Sequence, residues 1–206
     1  ESGNQQYCGL INRGPTGLIS FIDDRNTNVG GNLTSGLDFA VRYNLPTEFG
    51  RFNFMFDGTV LGKYDTIQAD GSVIKNKGNY DQLLAFPTFK ANAGVIWGLK
   101  NFGAGLSTKY VGSYKECATA GGLNGAGFCT YTVDAISGNQ LSHTIKAWNS
   151  WDAFVSYALT SSMGRTNLTL GMQNLFDSNP PVIYNNGTYQ SDPSTYEFMG
   201  RFMYVR

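Results

Sequence analysis

No stretch of this chain approaches the roughly 18 consecutive apolar residues of a membrane-crossing helix. Charge is scarce. Asp, Glu, Lys and Arg make up 15% of 206 residues, against about 25% in an average soluble domain. Acidic and basic residues cancel to a formal net charge of zero, which leaves no electrostatic footprint for nucleic acid. There is one histidine, His143. A Ser-His-Asp triad would have to use it, and no Gly-x-Ser-x-Gly turn accompanies it. It sits among polar residues and reads as a surface side chain. The cluster Gly121, Gly122, Gly125 and Gly127 lacks the Lys-Ser/Thr of a phosphate loop and reads as flexibility. No signal peptide is visible. No enzyme, cofactor or metal site is expected.

Cysteine is also sparse: Cys8, Cys117 and Cys129. Cys117 and Cys129 flank a loop of small and polar residues, and their spacing fits no zinc pattern. A disulfide between them would remove loop entropy of roughly 3 kcal/mol in the chain-entropy model and implies an oxidising compartment. Cys8 is then left over, with any partner outside this chain.

What is present is glycine, 26 residues, and aromatics, 14%, arranged with a period of two. Leu37, Phe39, Val41, Tyr43 and Leu45 alternate with polar neighbours, and so do Phe52, Phe54, Phe56 and Val60 after a short turn. The same pattern predicts strands near 35–45, 51–65, 86–97, 102–114, 147–159, 166–176 and 195–205, with Leu18–Ile22 as one more. Their connections alternate, short turn then long loop. In outer-membrane barrels short turns lie on one side and long loops on the other. The slightly negative mean hydropathy fits strands that hide apolarity in alternation.

Aromatics gather at both ends of the apolar faces. Tyr43, Phe52, Trp97, Phe102, Tyr157 and Tyr204 lie near the short turns, and Tyr64, Phe89, Tyr110, Trp151, Phe176 and Tyr196 near the long loops. Two belts suit two headgroup layers. The polar side carries Asp38, Arg42, Asp57, Lys63, Lys90, Lys109, Asp152, Glu197 and Arg201. Facing lipid, a Lys or Arg would cost about 2–4 kcal/mol at midplane, so these charges are expected to face a lumen. There they form either a salt-bridged wall or a docking surface for a plug. A soluble β-sandwich also alternates, but this chain offers no helix to cover its apolar faces, and its strands exceed the usual five or six residues.

Three motifs carry a resemblance. Thr34-Ser-Gly-Leu-Asp-Phe39 resembles the Ser-Gly-Ile-Asp-Phe strand start of TonB-dependent outer-membrane receptors. Asn167-Leu-Thr-Leu-Gly-Met-Gln-Asn-Leu-Phe-Asp177, followed by Pro180 and Pro181, resembles their penultimate strand. Tyr196 to Tyr204, with Gly200-Arg201, resembles their final one. The likeness spans most of residues 30–206 and implies the carboxyl-terminal part of a barrel of about 22 strands. It also implies an internal plug and uptake of siderophores, cobalamin or oligosaccharides driven by TonB, ExbB and ExbD across a Gram-negative outer membrane. Plug and TonB box are not in this chain, and the sequence stops at Arg206 where the family usually ends on an aromatic residue, so a few further residues are expected after it. Two other readings remain: a complete small barrel of about eight strands serving as anchor or adhesin, and a soluble carbohydrate-binding β-domain.

Overall fold

The computed structural model describes residues 5–24, 30–81, 84–117, 142–162, 164–183 and 190–206. A 3-10 segment at Gln5–Leu10 leads into β1 (Ile11–Arg13) and β2 (Ile19–Ile22). Next come β3 (Gly31–Thr47), β4 (Gly50–Ile67), β5 (Val73–Lys75), β6 (Tyr80–Asp81), β7 (Leu84–Ala85), β8 (Phe89–Leu99) and β9 (Phe102–Val111). The chain finishes with β10 (Tyr114–Cys117), β11 (Ser142–Ile145), β12 (Trp148–Ser161), β13 (Gly164–Gln173) and β14 (Phe202–Val205).

Seven of these form one antiparallel sheet in the order β14-β13-β12-β9-β8-β4-β3, with β5 added on β4. All seven expected strands are in it. Sequence neighbours pair because short turns join them at Thr47–Gly50, Leu99–Phe102 and Ser161–Gly164. Lys100 at φ 53 and Gly50 at φ 116 supply the left-handed residues that tight turns require. The long connections 68–88, 112–147 and 174–201 all emerge at the opposite end. Strands of ten or eleven residues, such as β8 and β9, rise about 3.3 Å per residue and, tilted, cross an apolar band roughly 25 Å tall.

β3 and β14 are the two edges and do not pair with each other, so the sheet is open. Leu18–Ile22 yields a strand as expected, β2, which pairs with β1 in a separate hairpin. Two expectations need correction. A β-bulge opposite Ser35/Gly36 puts an extra residue, Gly62, into β4. An extra residue reverses the alternation beyond it. Lys63 therefore pairs with Ser35, on the side of Leu33 and Leu37, while Tyr64 pairs with Thr34 on the other side. The last strand begins at Phe202, not near 195, and its phase is opposite to the expected one. Tyr204 pairs with Gly171, and Met203 with Met172.

Candidate functional site

Directly paired residues of antiparallel strands share a face, so the register sorts every side chain. One rung runs Leu45–Phe52–Trp97–Ala104–Val155–Leu170–Val205 across all seven strands. The next runs Tyr43–Phe54–Val95–Leu106–Ala153–Met172–Met203. Every residue in both is apolar or aromatic, and Tyr43, Val155, Leu170, Met203 and Val205 are each more than half exposed, as are Leu37, Val41 and Leu168 elsewhere on the same face. A soluble monomer rarely shows an apolar patch beyond a few hundred Å². Phe102 stacks at a tilt on Tyr157, and Phe89 on Tyr110, at opposite ends of this face.

The other face carries a different set. The rung Ala40–Asp57–Asn92–Lys109–Ser150 lies above Arg42–Met55–Gly94–Ser107–Asp152. Arg42 holds Asp57 through both carboxylate oxygens at 2.7 and 2.8 Å. Both partners are about half exposed, so the pair contributes about 0–1 kcal/mol and acts mainly to orient them. Thr59 donates to Asp38 at 2.6 Å. Asp38, Asp57, Thr59, Lys90 and Asn92 are among the residues that line one open groove. Nearer the short turns this face is built of rings over glycines. The Phe154 ring covers Gly105, and the Tyr204 ring covers Gly171.

The buried core lies not between the faces but at the long-connection end. Tyr80, Val111, Tyr114, Ile145, Trp148, Ile183 and Tyr196 pack there. Tyr196 donates to the Tyr114 hydroxyl at 3.0 Å and meets Trp148 edge-on. Asp192 is fully buried. Its carboxylate accepts from the Ala85 amide at 3.1 Å and from the Ser194 amide and hydroxyl at 2.9 and 2.6 Å. Glu116, also buried, meets His143 at 2.7 Å, so the histidine lies in a strand pair, β10–β11, not in a plain loop.

Burial pushes the Tyr196 phenol up to about 12 and the Tyr114 phenol well above its ordinary range. A neutral buried phenol stabilises the fold below its unfolded pKa near 10 and loses that contribution as pH rises through the folded value. An alkaline titration followed by phenolate absorbance should therefore show a late transition near 12, absent in Tyr196→Phe. Ionisation of every phenol near 10 would contradict the packing.

Of the charges expected on one face, Asp38, Arg42, Asp57, Lys90, Lys109 and Asp152 share it by register. Lys63 does not. Glu197 and Arg201 precede β14. Glu197 reaches Lys109 at 3.2 Å, and the Arg201 amide donates to Asp177. Asp152 also has a local task, accepting the Asn174 amide at 2.8 Å.

Of the aromatics, Tyr43, Phe52, Trp97, Phe102, Tyr157, Phe89, Tyr110 and Trp151 lie on the apolar face. Tyr204 and Tyr64 do not, for the reasons of register given above. Phe176 stands exposed in the turn after β13, and Tyr196 is only 3% exposed, inside the loop core. The Cys117 side chain and Cys129 lie outside the described residues, and Cys8 is a free, exposed thiol. Sequence reasoning passed over Asp192. The signal for it was Asp192-Pro-Ser194, a pattern in which an Asp side chain caps the amide two residues on.

Among the described residues no helix is long and apolar enough to cross a membrane, and no group of side chains could hold a metal ion. A strand-built wall with one apolar and one polar face, short turns at one end and long connections at the other, is that of a transmembrane β-barrel. The family model for the TonB dependent receptor-like β-barrel matches residues 4–175, and the chain belongs to that family. The match takes in Thr34–Phe39 and most of the Asn167–Asp177 motif, and stops before the final strand. No curated protein and no solved structure matches the chain. The family is one of outer-membrane nutrient-uptake receptors in Gram-negative bacteria, not of enzymes.

Proposed function

We propose that this chain is the carboxyl-terminal part of the barrel wall of an active-transport receptor. That receptor takes up a scarce nutrient of the siderophore, cobalamin or oligosaccharide class. Energy reaches it from TonB with ExbB and ExbD through a part of the receptor that precedes these residues, and its own plug docks on the polar face. Outer-membrane lipid covers the apolar face. Long connections lie outside the cell and short turns in the periplasm. The observation that carries this reading is the pair of seven-residue apolar rungs, backed by a polar face and ended by two unpaired edges. Unpaired edges count against a complete small barrel, which would close. A bare apolar face counts against a soluble carbohydrate-binding domain.

Deleting the gene in its own bacterium should slow growth when one nutrient of these classes is limiting. Re-expression should restore growth only while TonB is present. Restoration without TonB would overturn energised uptake and favour the anchor reading.

A further inference from the structure

Between β13 and β14 the chain does not climb as a strand. It crosses the polar face. Beside β13, the Asn174 side-chain amide donates to the Met199 carbonyl at 3.2 Å. Two strands away in the sheet order, Glu197 reaches Lys109 on β9 at 3.2 Å. Tyr196 then packs on Trp148 and Tyr114, and Asp192 lands on the amide of Ala85, just before β8.

The residues beneath this path are those a polar-face cover would hide. Val111 and Trp148 are partners on one rung, Lys109 and Ser150 on the next. Val111, Trp148 and Ser150 are all buried, Ser150 to 2% exposure, although an open wall leaves such positions to water. The two ends of the segment are held unequally. Glu197 and Lys109 are half-exposed and add little. Asp192 is buried with three hydrogen bonds, and removing a partner from such a group costs its full desolvation.

We propose that Ser191–Gly200 is a fixed strap across the mouth of the lumen. It would steer solute away from the β9–β12 side and toward the groove of Asp38, Asp57, Lys90 and Asn92. This rests on the sidedness given above, with the long connections outside the cell.

The test uses the full receptor in intact cells and a polyethylene-glycol maleimide added outside, with labelling of the unmodified chain as baseline. Asp70→Cys, in the turn before β5, should label. Ser150→Cys should label no faster than baseline, both in energised cells and after a protonophore. Adding Asp192→Ala and Tyr196→Ala should expose Ser150→Cys while Asp70→Cys still labels in that background. Ser150→Cys that labels at rest, or only on energisation, would overturn a fixed strap. So would continued protection after the two anchors are removed. No labelling of Asp70→Cys would overturn the sidedness itself, and is told apart by that.

Discussion

Arginine in place of Val155 is expected to abolish most of the folded barrel in outer-membrane vesicles, while Asp152→Asn leaves its yield near that of the parent. Val155 lies midway along β12, on the apolar face, and is 57% exposed. A cation facing lipid at midplane costs about 2–4 kcal/mol, and the depth of Val155 places it toward the upper end. Asp152 points to the opposite face, where its carboxylate accepts the Asn174 amide. An Asn side-chain oxygen can accept the same bond, so that variant loses a charge but not the cap. The measurement is the fraction of heat-modifiable barrel on electrophoresis. Equal yields, or a worse yield for Asp152→Asn, would show the faces to be reversed.

A second large effect is expected where rings lie over glycines. A Cβ at Gly105 would overlap the Phe154 ring, and one at Gly171 the Tyr204 ring. Gly105→Val and Gly171→Val should each destabilise the barrel by about 1–3 kcal/mol, the usual cost of overpacking. Phe154→Ala should recover part of the Gly105→Val loss by vacating the space. Gly31, where an added Cβ meets nothing within 4 Å, is the control, and Gly31→Ala should be close to neutral. Urea unfolding in detergent reads all four variants. Similar losses at Gly31 and Gly105, or no recovery in the double variant, would sink the packing argument.

These pairs also show which parts of the wall were legible in the sequence. Strands such as Phe52–Val60 announce themselves because lipid demands an apolar residue at every second position. Tyr204 does not, because Phe202, Met203, Tyr204 and Val205 are all apolar or aromatic. Alternation then carries no phase, and pairing with Gly171 sets it. The bulge at Gly62 was hidden for a related reason: it lies between Leu61 and Lys63, where one extra residue resembles ordinary alternation. The loop core was out of reach. Asp192 and Ala85 are 107 residues apart in the chain, and no local pattern marks a contact of that range. Tyr196 accordingly looked like a membrane-interface ring, when it belongs with Trp148 and Tyr114. The strap that it anchors was equally invisible, because the final-strand motif runs through it without a break.

The most direct test of the two-faced wall is spin-label accessibility along β12 of the full receptor in bilayers. One label at a time is placed from Trp151 to Tyr157. Labels at 151, 153, 155 and 157 should relax with dissolved oxygen, which concentrates in lipid, and little with a water-soluble nickel chelate. Labels at 152, 154 and 156 should be the less oxygen-sensitive set. A period of two in that phase is the expected result. Accessibility in the opposite phase, or equal exposure of all seven positions to the nickel reagent, would contradict a membrane wall.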